Sequence, residues 1–448
     1  MSFNFPKDLY TDVRIEETFE AGYQIRDGIV LTNARVEYKG VIVRIFDGKL
    51  WYTSVTNDVS EGQIQKEIDN LAGLAKPNPN ILKNKIVKNF QVNKDTNLRF
   101  DGENDFRKVT REQIEATVNH YVETCGGKEF EEIKTVTASL RFSHLVKKIF
   151  SSKGTELCFD SQEGRLGMGF CIVHNEVPLW GGTSIVKFDY KDFENQEQKF
   201  IEIRDRSLDY AKNAVDVEPG DYECVLAPIV TAMFTHECFG HKSEADFMLN
   251  DKTLQDEWVM GKQVGSELVS ICDRGDLYNH GYTPYDDEGN KACETWLVNK
   301  GKLTGRLHDA KSASVLKEKI TGNARAQSYA HKPLVRMTNT FMEKGTETKD
   351  ELISKVKNGI YVYSVNYGTG NSTFTMKPEI CYRIRDGKLC EPVRVNVITG
   401  SVFKTLFDIT GVADDLELFD QYVCGKGGQS VPVSAGGPTI RVKTLSIN

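Results

Sequence analysis

Residues 30–56 read VLTNARVEYKGVIVRIFDGKLWYTSVT, with apolar and polar side chains alternating on both sides of Asp47-Gly48. A period of two marks a strand with unlike faces, and Asp-Gly favours a tight hairpin turn. The stretch predicts an antiparallel strand pair, so an antiparallel sheet opens the chain. Just beyond it, Ser60 and Gln63 form a capping-box pattern, and Ile64, Ile68, Leu71 and Leu74 recur at helical spacing until Pro77 stops the run. The same grammar returns at Thr110 and Gln113, with Ile114, Val118, Tyr121 and Val122 on one face and Gly126-Gly127 as the stop. Residues 133–190 revert to strand patterns, joined by turns near Gly164, Gly167, Gly169 and Gly181-Gly182.

Between about 191 and 220 the chain turns polar and charged; Tyr222–Ala227 then reads as a strand and Pro228 as the first position of a helix. We place the domain division there, with an N-terminal α+β domain at 1–215 and a C-terminal β-rich domain at 216–448. The helix PIVTAMFTHECFGH is apolar nearly all round before His236, which predicts a buried helix. Strand patterns follow at 267–272, 294–307, 334–341, 360–367, 379–398 and 438–445, with Asp386-Gly387 a second hairpin turn and helices near 308–319 and 402–416. The fold class is α+β, with largely antiparallel sheets and few helices.

The composition of the 448 residues, 39% hydrophobic and 27% charged, is that of a folded globular protein with room for two or three domains. Lys+Arg total 57 against Asp+Glu 64, a net charge of −7, so no global basic field draws the protein onto nucleic acid. No apolar run approaches the length of a membrane span, and the acidic N-terminus lacks the apolar core of a signal peptide. The expected setting is cytoplasmic, with no membrane partner. Ten cysteines without a CxxC pair read as reduced thiols, one of which is available as a metal ligand.

The chemistry-bearing segment is His236-Glu237-Cys238-Phe239-Gly240-His241, an HExxxH pattern. In HExxH the two histidines share a helix face, whereas a gap of five sets them roughly 140° apart on a regular α-helix. Both reach one metal if the helix distorts, and Gly240 is where a π-bulge or an αL helix end costs least. A catalytic zinc site takes three protein ligands. Glu244 and Asp246 lie near in sequence, and Cys424 lies far off beside Gly425, Gly427 and Gly428. Cys238, directly after Glu237, points away from the face that carries His236.

Several blocks in order resemble the TldD/PmbA family, the so-called modulators of DNA gyrase, and specifically its TldD-type subunit. They are GVIVRIFDGKLWYTSV, HECFGHKSEADF, DDEG at 286–289, TGNARAQSYAHKPLVRMTNTFM at 321–342 and VCGKGGQSVPVSAGGPTIRV at 423–442. The resemblance implies a metallopeptidase whose metal is held by His236, His241 and Cys424, with Glu237 beside them. It also implies a PmbA/TldE-like partner subunit, that type lacking HExxxH; a homodimer is the other arrangement. Peptides and unfolded proteins are the implied substrates, so the link to gyrase runs through substrates and not through DNA.

The expected activity is hydrolysis of peptide bonds with Zn²⁺ as cofactor and Glu237 as general base. Arg325 or Tyr329 is the expected oxyanion donor, and Glu244 and Asp246 are expected to orient an imidazole, with Glu244 also open as a carboxylate ligand. The rival reading is a non-catalytic protein that binds peptides or gyrase around a structural metal. An intact Glu237 favours the enzyme.

Overall fold

The computed structural model describes residues 1–370 and 372–448. Its first half is built on a sheet of strands β1 (Tyr10–Arg26), β2 (Ile29–Phe46), β3 (Trp51–Thr56), β4 (Lys94–Asn97), β5 (Ile133–Ser151), β6 (Glu156–His174) and β7 (Val177–Lys187). The order is β3-β2-β1-β5-β6-β4, with β7 also on β6, and every pairing is antiparallel except that of β4 with β6. The expected hairpin joins β2 to β3 with Phe46 opposite Trp51; Asp47 Oδ1 closes the loop by accepting from the backbone N–H of Lys49 and Leu50.

Alternation decides what each face of this sheet meets. Val13, Ile15, Val41, Val43 and Ile45 point one way, onto Ile64, Ile68 and Leu71 of the helix Glu61–Leu74. Each such side chain contributes about 1.5–3 kcal/mol by leaving water. The helix Arg111–Cys125 covers the neighbouring strands through Ile114, Val118 and Tyr121, and its Thr110–Gln113 capping box forms as the sequence predicts. Asp12, Arg14 and Glu16 point the other way and are buried too, because the second half of the chain packs on that face.

The polar stretch 191–220 is not a bare connection. Glu197–Asn213 is a helix that lays Phe200 and Leu208 into the core beside β6 and β7, while Tyr210 packs with Ile380 and donates to the Val393 carbonyl of the second half. Val215 and Asp216 then pair with Val393 and Arg394 of the second half, so the expected division at 215/216 falls inside that short strand.

Among the described residues the second half holds two further large sheets and a two-stranded one, Ala324–Arg325 with Leu334–Val335. One of eight strands is centred on Gly220–Leu226, Asn358–Gly370, Thr373–Arg385 and Ile440–Ile447; one of six ends in the hairpin Glu417–Lys426 and Gln429–Gly437. The buried helix Pro228–Phe234 lies between them, against Asn358–Gly370 on one side and Gln429–Gly437 on the other. Asp386-Gly387 makes the second expected hairpin turn, a two-residue loop at φ 46° and 75°. The helix expected over 402–416 stops at Phe407; Ile409–Val412 pairs with Ile440–Val442 as a strand. Antiparallel pairs dominate throughout, and the fold is α+β. Among the described residues, no helix is long and apolar enough to cross a membrane.

Candidate metal centre

Pro228 starts the central helix where its missing N–H is harmless, and Val230–His236 are all buried. Regular α geometry ends at Phe234. Thr235–Gly240 is a π-helix, closed by an i→i+5 hydrogen bond from the His241 N–H to the His236 carbonyl. That widening brings residues five apart together. The two imidazoles stand 5.1 Å apart between ring centroids, inclined at 76°.

Gly240 permits this for a different reason than an αL helix end. Its φ is −56° and its ψ −54°, ordinary right-handed values. A Cβ there would collide with the sulfur of Met337, so glycine is needed for close approach.

Cys424 arrives from the hairpin strand Glu417–Lys426, where it lies opposite Val431. Its Sγ is 3.6 Å from His241 Nε2. The ligand atoms of His236, His241 and Cys424 all lie within 4.8 Å of one another. His236 Nδ1 is buried and has no hydrogen-bond partner. An orphaned buried nitrogen is costly, and two imidazoles with a thiol are the donors a zinc ion prefers, so the residues fit a metal. Burial disfavours ionisation of Cys424, but hydrogen bonds and charge from His236 and His241 outweigh it and bring the thiol down to about 5. Burial likewise opposes the charged form of His241; hydrogen bonds to Cys424 and Glu244 outweigh it and lift the imidazole to about 10.

The surrounding groups hold these donors in place. Glu244, fully buried, meets His241 Nδ1 at 3.1 Å, leaving Nε2 facing the thiol. Lys426 donates to Asp246 at 2.7 Å and to the Val335 carbonyl at 2.8 Å, and lies 3.1 Å from Glu244. Asp246 therefore partners Lys426 and not an imidazole. Tyr422 lays its ring parallel to His236 at 6.4 Å. Glu237 is half-buried on the π-helix; after burial, its charge is the next cause pushing the Tyr422 hydroxyl up. Gly370 backs the Glu237 carbonyl and Cys238, whose thiol points there and away from the cluster.

Arg325 and Tyr329 are committed elsewhere. Both guanidinium nitrogens Nη1 and Nη2 of Arg325 donate to backbone carbonyls, of Met337 at 2.6 Å and Pro432 at 2.8 Å. Tyr329 lies over Gly40 of β2, its ring filling the space a Cβ would take. Two of the five Arg325 N–H donors are thus taken by backbone, and the Tyr329 ring is seated on the N-terminal sheet. Sequence reasoning passed over Tyr422, Lys426 and Met337. Tyr422, Cys424 and Lys426 share one strand face, so the period of two around Cys424 was the signal that would have found the first two.

Residues 219–448 match the family model described as PmbA/TldA metallopeptidase C-terminal domain, and residues 11–76 match PmbA/TldA metallopeptidase domain 1. Metalloprotease slr0863 of Synechocystis sp. is 33% identical over 77% of this chain and 74% of its own length. Metalloprotease MJ0996 of Methanocaldococcus jannaschii is 30% identical, covering 98% of this chain and 97% of itself. A zinc metalloprotease TldD homolog of Saccharolobus solfataricus is 28% identical over 98% and 96%. Two crystal structures share the fold, each covering 98% of this chain and 96% of its own. A candidate DNA gyrase modulator from Thermotoga maritima aligns with a TM-score of 0.79 at 18% identity, and TldE from Thermococcus kodakarensis with 0.76 at 12%. With more than half its length under one family model and relatives of this identity along its whole length, the chain belongs to the TldD/PmbA family of metallopeptidases.

Proposed function

We propose that His236, His241 and Cys424 hold one divalent metal, Zn²⁺, and that Glu237 is the general base of a peptidase acting on small or unfolded peptides. The observation that carries this reading is the convergence of the three donors, one nitrogen of which has no other partner, beside a carboxylate on the same π-turn. Bound there, zinc supplies Lewis acidity for attack on a peptide carbonyl. Glu237 takes the proton from the attacking water and returns it to the departing amine. Glu244 keeps the proton of His241 on Nδ1, so that Nε2 presents its lone pair to the centre. Tyr422 and the buried helix shield His236 from bulk water, while His241 keeps part of its side chain exposed.

We assign the work to the half at 216–448, with 1–215 as its support, and to the cytoplasm, where ten free thiols stay reduced. A TldE-type partner is supported by the shared fold. A structural metal alone has no use for Glu237. Metal analysis of the purified chain, with cleavage of an unstructured peptide before and after chelation, tests the reading, with and without a TldE-type partner. One metal per chain and zinc-reversible loss of cleavage are expected. Cleavage that survives complete metal removal would sink it.

A further inference from the structure

The hairpin that bears Cys424 is tied to the N-terminal sheet through a buried chain of charged groups. Asp287, 4% exposed, sits in the loop of the second half that presses on β1 and β5. Its carboxylate meets Arg14 at 3.5 Å and is hydrogen-bonded by Lys147; Arg14 and Lys147 also pair with Glu16, at 3.0 and 3.6 Å. Two cations thus face two carboxylates in a dry interface. Burial opposes the charge on Asp287, but Arg14 and Lys147 outweigh it and hold the carboxyl below its usual range.

The same carboxylate reaches the other way. Asp287 Oδ2 accepts from the Ala326 N–H at 2.6 Å, and the Asp287 N–H donates to the Ala324 carbonyl at 2.7 Å. Both bonds fix the backbone on either side of Arg325. Arg325 in turn bridges the Met337 and Pro432 carbonyls. Met337 is the residue seated on Gly240, between the two histidines in sequence, and Pro432 pairs with Val423, next to Cys424. Arg14 adds bonds to the Ser328 and His331 carbonyls at 2.8 and 2.9 Å, so the N-terminal sheet grips this segment twice.

We propose that Asp287 is a positioning residue for the metal centre. By clamping Arg325 between the histidine-bearing helix and the cysteine-bearing hairpin, it sets the spacing of imidazoles and thiolate and makes that spacing depend on the seating of the N-terminal sheet. The inference rests on His236, His241 and Cys424 being the ligands. A buried ion cluster with a merely structural role would instead affect stability and leave the metal geometry alone.

Cobalt(II) titration of the full-length apo protein separates the two, because the thiolate charge-transfer and d–d bands report both affinity and geometry. In Asp287→Asn the affinity for Co²⁺ should fall roughly tenfold or more and the d–d bands should shift, as for loss of a group that orients a ligand. Arg325→Lys, which keeps the charge and loses the two-pronged bridge, should do the same, and the double variant should be little worse than either single one. Glu16→Gln removes a carboxylate from the same cluster without touching residues 324–326. It should lower the urea midpoint and leave affinity and spectrum unchanged. A wild-type spectrum and affinity in Asp287→Asn, strictly additive losses in the double variant, or an equal loss in Glu16→Gln overturns the proposal. Should Asp287→Asn fail to fold, a wild-type spectrum in Arg325→Lys overturns it equally. Failure of the wild-type chain to bind Co²⁺ refutes the ligand assignment itself, and is seen before any variant is compared.

Discussion

The sulfur of Met337 occupies the space beside Gly240 in which a Cβ would stand. The two residues are fully or nearly fully buried, so added volume at one must displace the other. Gly240→Ala should destabilise the protein by about 1–3 kcal/mol, as overpacking does. Met337→Ala alone should cost about 2–5 kcal/mol for the cavity it leaves. The double variant should cost clearly less than the sum, because each change relieves the other; urea unfolding of all four proteins gives the coupling. Strict additivity would mean that the helix widening does not depend on this contact.

Glu237→Gln should lower peptide cleavage by roughly a hundredfold or more while metal content stays near that of the parent, since the amide keeps the shape and loses the basicity. Metal analysis beside a peptidase assay decides it. Parent-like turnover would remove Glu237 from the chemistry.

Cys424→Ala should bind zinc far more weakly, because two imidazoles without the thiolate make a poor site. Cys238→Ala is the matched comparison: its thiol is equally buried but packs on Gly370, so metal content should be unchanged. Equal metal content in the two variants would move the third donor elsewhere.

Lys426→Met keeps the unbranched apolar stem, one atom shorter, and strips the cation from Glu244 and Asp246. Removing one partner of a buried pair costs about 3–5 kcal/mol. With Glu244 released, His241 loses its orientation, and zinc affinity should fall roughly 10–100-fold. A chelator-competition assay with unchanged affinity would show that Glu244 holds His241 without help.

Asp286 and its neighbour Asp287 respond to pH in opposite senses. Burial pushes Asp286 up to about 7, whereas the ordinary unfolded value is about 4. Between those values the folded chain binds more protons than the unfolded one, so this group makes stability fall as pH rises from about 4 to about 7. The contribution of Asp287, whose carboxyl is held low by Arg14 and Lys147 against the burial that raises it, is instead lost as pH falls below about 4. Asp286→Asn should lower stability at all pH values, since its amide nitrogen cannot accept from the Ala324 N–H. It should also flatten the decline between pH 4 and 7, by on the order of 2 kcal/mol. Urea midpoints across that range measure the slope, and an unaltered slope would clear Asp286 of the effect.

How much of this was legible in the sequence follows from what each pattern had to show. The strands around Asp47-Gly48 read clearly because Val41, Val43 and Ile45 meet a helix while the outer part of β2 is exposed. The start of β1 did not, because Tyr10–Glu16 is buried on both faces and its inner face carries Asp12, Arg14 and Glu16 as paired charges. The helix Glu197–Asn213 hides for a related reason: Arg204 and Ser207 interrupt its buried stripe. At the centre, the five-residue spacing of the histidines called for a helix either widened or ended at Gly240, and the widening is what the structure has. Cys424 stood among several candidate third ligands beside its flanking glycines, and likeness to a family singled it out. The clamp from Asp287 to Ala326 spans 39 residues and runs through a backbone N–H, which no side-chain pattern records.

Cys424 and His241 are 183 positions apart. On the reading of both as metal ligands, the order of synthesis then matters. A ribosome that has completed both histidines still has to make five of the six strands of that sheet, up to Glu417–Lys426, before a third donor exists. Whatever part of the nascent chain is still unfolded at that stage is of the kind of substrate proposed for the finished enzyme. On that reading, a donor placed so late would keep the growing chain inert toward itself and its neighbours until the strand that carries Cys424 has been made.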